Sequence, residues 1–336
     1  MLFRSSAASI FSGAVTLNNH DLVLAPAASN LTLSGGVTGT GNLSLATTGA
    51  GTITLSTTSV NNAGTISNTG TGAGTTTISA GVGSNVTAIT ENSATSALTV
   101  SGALTVNGSG TTLTNSNASG SALLTVSGGI TGTGNVVLNN NSAIANGVTV
   151  SGTSVNNVGT VTNSGTGTGA TAISAVIGTN VTGVVENSAT STLTLSGANT
   201  FSGGTTIKSG TAAGTVAAAF GTGTITIGDT SGSANATLSG GLAGTFTNAI
   251  SVASGNTGTA KITDSAASIF SGAVTLNNHD LVLAPAASNL TLSGGVTGTG
   301  NLSLATTGAG TITLSTASVN NTGTISNTGT GAGTST

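Results

Sequence analysis

Residues 59–103 recur in diverged form at 154–198, and residues 6–77 recur almost unchanged at 265–336. A chain that contains itself at fixed offsets must adopt a fold that tolerates extension by duplication, and nearest-neighbour stacking of repeats is the architecture that does. The near-identical copies differ only as Thr58 against Ala317, Ala63 against Thr322 and Thr76 against Ser335. The diverged pair carries more information. Ile66 faces Val161, Val82 faces Ile177, Ile89 faces Val184 and Val100 faces Leu195, so apolar positions exchange only for apolar ones. Both copies keep an Asn pair (Asn61-Asn62, Asn156-Asn157) and a Glu-Asn-Ser-Ala-Thr-Ser stretch from Glu91 and Glu186. A third, shorter match aligns 31–36 with 124–129 and continues into Thr-Gly-Thr-Gly-Asn at 38–42 and 131–135.

Local patterning predicts short strands. Leu31-Thr32-Leu33, Ile53-Thr54-Leu55, Leu193-Thr194-Leu195 and Ile225-Thr226-Ile227 alternate apolar and hydroxyl residues with the period of a half-buried strand. Gly and Asn clusters interrupt them every few residues. The nearest approach to a helix, 216–220, lasts barely one turn. Six Phe, with no Trp or Tyr, leave little to anchor a sandwich core. The expected fold is therefore all-β: a right-handed parallel β-helix, or β-solenoid, of short strands and Gly/Asn-rich turns, with about 20 residues per turn. It is expected to run as one continuous segment over residues 1–336, with corner asparagines stacking amide on amide from turn to turn.

Composition excludes several alternatives. Charged residues make up 3% of the chain, so Thr, Ser and Asn must clothe its surface. Disordered chains combine low hydrophobicity with high net charge, whereas this one is 36% hydrophobic with a net charge of −3. Arg4, Lys208 and Lys261 are the only basic residues besides two histidines, too few to track a nucleic-acid backbone. There is no cysteine, hence no disulfide framework and no thiolate metal site. No run approaches the ~18 apolar residues of a membrane-spanning helix. The opening residues do not read as a leader, because 6–13 recur internally at 265–272. Both termini fall in mid-repeat, and a longer parent chain is expected. Uncapped edges of the polypeptide are expected to associate.

The stretch from Leu193 to Ile207, Leu-Thr-Leu-Ser-Gly-Ala-Asn-Thr-Phe-Ser-Gly-Gly-Thr-Thr-Ile, resembles the autotransporter-associated β-strand repeat, and Phe220 to Ile227 resembles the end of the same unit. The unit spans 193–227, with Ala212 where a large aliphatic residue is usual. Gly39–Leu43 with Gly49–Ser56 resembles the segment that often precedes it, and recurs from Gly298 to Ser315. The resemblance implies a β-helical passenger of a Gram-negative type V secreted protein, exposed at the cell surface outside the outer membrane. It implies a stalk or adhesin touching a host or abiotic surface or neighbouring cells, with the translocating barrel outside this sequence. It implies no enzyme, and no catalytic, cofactor-binding or metal-binding residue.

The residues that could carry chemistry are few. The acids are Asp21, Glu91, Glu186, Asp229, Asp264 and Asp280, none with an acidic neighbour along the chain. A polysaccharide-cleaving β-helix, the alternative enzymatic reading, would need carboxylates converging on one face. His20 and His279 are one repeat position seen twice, in Asn-Asn-His-Asp-Leu, and read as a polar turn rather than a metal site, which needs three or four converging ligands. Gly70–Gly74 lacks the Lys-Ser/Thr and the strand–loop–helix context of a phosphate cradle. Thr52/Thr54, Thr224/Thr226 and Thr311/Thr313 raise the third reading, an ice-binding face, against which stands their irregular spacing along the chain.

Overall fold

A computed structural model describes residues 1–336 as an all-β parallel solenoid of about 14 turns, without a helix. The chain falls into two compact units, Met1–Val181 and Thr182–Thr336. The alternating triplets predicted from sequence are strands, each with its outer two residues buried and its middle residue half-buried.

In the first unit the turns stack into three faces. The first face includes Leu22–Leu24, Leu43–Leu45, Gly64–Asn68, Val86–Glu91, Thr111–Asn115 and Val136–Asn140. The second runs from Ser9–Phe11 through Leu31–Leu33, Ile53–Leu55, Thr76–Ile78, Leu98–Val100 and Leu124–Val126 to Val148–Val150 and Thr171–Ile173. The third includes Val15–Asn18, Val37–Thr40, Leu104–Val106 and Ile130–Gly132, with Val60 and Val82 continuing it as single bridges. Every strand on the second face pairs in parallel with the next turn and in register, which puts like positions in columns. The first face carries one register shift, between Val86 and Ala88.

The columns explain the repeat. All eight residues of the apolar exchanges, Ile66/Val161, Val82/Ile177, Ile89/Val184 and Val100/Leu195, are at most 1% exposed. Each buried aliphatic side chain contributes on the order of 1.5–3 kcal/mol, and a one-methylene change is absorbed by neighbours in the same column. Partner strands lie 19 to 26 residues apart, so the turn is longer and more variable than the 20 residues expected from sequence. Loops at the corners take up the difference while the strands keep register.

The second unit contains residues 193–227. There Thr205–Gly214 forms a ten-residue strand serving two faces: its first half pairs with Ile225–Ile227 and its second with Ala236–Gly240. Ala212, the departure from the repeat pattern, is fully buried and pairs with Leu193 and Leu238. Residues 216–220 form a turn that delivers Phe220 to the core, where it meets Phe246 tilted at a centroid spacing of 5.5 Å and Phe246 stacks on Phe270 at 5.1 Å. The second copy of the long repeat reproduces the pairing of the first: Ser268 lies against Leu290 as Ser9 lies against Leu31.

Candidate functional site

A column of buried polar groups lies inside the first unit. At the inward end of its first face, Asn68, Glu91, Asn115 and Asn140 stand in successive turns in one column, all fully buried. Strand alternation puts Glu91 on the same inward side as Ile89. Its Oε2 accepts from Asn68 Nδ2 at 2.8 Å and its Oε1 from the Ser93 amide at 2.6 Å. The Ser93 and Ser96 hydroxyls donate to the carbonyls of Gly70 and Gly74 in the preceding turn. Asn115 Nδ2 donates to the Gly147 carbonyl at 2.7 Å, and Asn140 Nδ2 to those of Gly169 and Ala170 at 2.9 Å. Burial raises the Glu91 carboxyl to about 7 even though Asn68 and Ser93 favour its charged form. A general acid must reach the proton it moves. Glu91 reaches only the corner it fastens. Glu186, its repeat equivalent in the second unit, is likewise buried and accepts from the Ser188 amide at 2.7 Å.

The other acids are dispersed in role. Asp21 and Asp280 each accept the amide of an Asn one turn on, Asn42 at 2.8 Å and Asn301 at 2.7 Å, and Asn301 Nδ2 adds a second bond to Asp280. These bonds hold the Asp280 carboxyl below its usual range. His279 and Asp280 line a shallow groove of about 450 Å³ with Asn256 and Thr257, and the His279 ring nitrogen Nδ1 lies 2.8 Å from the Asp280 carbonyl. Asp229 pairs with Lys208 at 3.6 Å on the surface. Asp264 is buried with both carboxyl oxygens unpartnered, and burial pushes it up to about 6. The nearby Ser268 amide is committed to the Asn289 carbonyl. No group of three or more His, Asp or Glu side chains converges as a metal site would require.

The corner asparagines depart from the expected amide stack. Asn62 and Asn157 are buried, and each donates Nδ2 to a backbone carbonyl of the preceding turn, Gly41 and Gly134, both at 2.8 Å. Asn61 and Asn156 point the other way and accept the amides of Asn85 and Asn180. The physical reason is that a turn leaves backbone groups unpaired where the strand ladder stops, and one amide side chain can satisfy such a group directly. Exposed Asn30, Asn42 and Asn135 do the same, accepting the amides of Thr52, Thr65 and Thr160.

Register also reveals an arrangement that linear spacing conceals. On the second face of the first unit the outward residues Thr32, Thr54, Thr77, Thr99, Thr125 and Thr149 are direct neighbours in six successive turns. Each is followed two residues later by a serine, from Ser34 to Ser151. Every one of those serines continues the ladder, its amide donating to the last strand residue of the turn before. No other face of either unit carries so regular a pair of hydroxyl ranks. On the first face, for comparison, the outward column reads Val23, Ser44, Ser67, Thr90, Thr114 and Asn139.

No protein family, no curated protein and no solved structure matches this chain. No helix is long and apolar enough to cross a membrane.

Proposed function

We propose that this chain is a surface-displayed structural or adhesive segment, a stalk or adhesin scaffold of an autotransporter-like passenger. The observation that carries the reading is where the chemistry is spent. Buried Asn, Glu and Ser side chains fasten one turn to the next, as at Asn68–Glu91 and Asn157–Gly134. The exterior is clothed in hydroxyls and amides, which stay soluble and uncharged across an extended face. The stretch 193–227 supports the autotransporter side of the proposal: its alternating residues are strand, and Phe201 and Phe220 are fully buried. The partner class is a host or abiotic surface, or a neighbouring cell. The test is antibody labelling of the source cells with and without permeabilisation. Labelling of intact cells that is lost on external protease treatment is the expected result, and labelling seen only after permeabilisation would overturn the proposal.

A further inference from the structure

We propose that the second face of the first unit is a binding surface for an ordered water lattice, with ice as its solid ligand. Parallel turns stack about 4.8 Å apart, and residues i and i+2 of one strand lie about 6.6 Å apart. The Thr and Ser ranks therefore form a two-dimensional hydroxyl grid, extending about 24 Å along the Thr rank from Thr32 to Thr149. These repeat distances are comparable to those of oxygen atoms on the prism plane of ice. Every strand pair under the grid is in register and free of bulges, so the grid is not dislocated along its length.

The side chains suit that ligand. Threonine offers one hydroxyl and one methyl on a β-carbon with few rotamers, so the rank is pre-organised and binding orders little more. Of the twelve hydroxyls only those of Thr149 and Ser79 bond within the protein, to the Asn146 and Leu55 carbonyls. The others are free to hold water. No charged side chain interrupts the grid, and a charge would impose its own hydration shell on any lattice above it. Crystalline polysaccharide is the competing flat ligand, but it is usually gripped by aromatic platforms. The sequence has neither Trp nor Tyr, and four of its six Phe are fully buried in the core of the second unit.

The test uses the whole 336-residue chain in a thermal-hysteresis assay, with ice-recrystallisation inhibition as a second readout. The variants are Thr77→Lys and Thr99→Lys at the centre of the rank, and Thr90→Lys on the first face as control. Outward Lys261, mid-strand in the second unit, shows that the fold accepts lysine at such a position. Circular dichroism checks that each variant is folded. The expected result is hysteresis in the parent chain, lost in either rank variant and retained in the Thr90 control. No hysteresis in the parent, or equal loss in all three variants, would overturn the proposal.

Discussion

Replacing Glu91 by Gln tests whether a proton is stored in the first unit. Folded Glu91 titrates near 7 and an ordinary glutamate near 4.5. Because the folded value is the higher, the protonated form is the one the fold prefers. No linkage cost exists well below pH 4.5, the cost grows as the unfolded chain ionises first, and it levels off above pH 7. At pH 5 the linkage term is about 1 kcal/mol, and at pH 8 about 3 kcal/mol, so the turn loses on the order of 2–3 kcal/mol across that range. The Glu91→Gln variant keeps the oxygen that accepts from Ser93 and loses the acceptor for Asn68, at about 1 kcal/mol. That loss is the same at both pH values and cancels in the comparison. Repeat arrays do not unfold as a single two-state unit, so the measurement is local: hydrogen exchange over 86–100, corrected for the intrinsic rate. From pH 5 to pH 8, protection in the parent chain should fall by one to two orders of magnitude further than in the variant, which is about 2–3 kcal/mol as a ratio. An equal change in both proteins would refute a buried, protonated Glu91.

Two other perturbations address how closely the turns approach. A Cβ at Gly102 would overlap the carbonyl oxygen of Ala80 in the adjacent turn, whereas one at Gly108 would meet nothing within 4 Å. Gly102→Ala should therefore cost about 3 kcal/mol or more, and Gly108→Ala about 0.5 kcal/mol or less, read by hydrogen exchange over 76–113; equal effects would contradict the packing. Asn157→Ala removes the donor to the Gly134 carbonyl and should cost about 1–3 kcal/mol, measured by hydrogen exchange across 130–160.

Much of this architecture was legible because strand alternation is a two-residue code. Leu31–Leu33 and Ile225–Ile227 announce themselves by apolar flanks around a hydroxyl, and the conservative exchanges between the diverged copies mark inward positions. The inward Glu91 was readable in principle, since it is two residues beyond Ile89 and shares its parity. It was obscured by the turn-like Asn-Ser-Ala-Thr-Ser that follows. The hydroxyl grid was not readable. Its threonines are separated along the chain by intervals that vary with corner length, and only strand pairing converts them into a straight rank. The corner positions of the asparagines are legible in the repeat but their partners are not, because nothing in a linear pattern distinguishes an amide facing another amide from one facing a stranded carbonyl.

Since no strand partner lies more than 26 residues away, a new turn finds the sheet edge it pairs with already formed in its predecessor. A polypeptide of this design emerging through a narrow passage could lay down each layer as soon as about 25 residues had cleared the exit, using the previous layer as template. Every completed layer would oppose backward slippage, because retreat would require stripping a finished sheet edge and re-exposing its aliphatic column to water. Assembly would then act as a one-way ratchet, and forward movement would draw on the free energy of stacking itself.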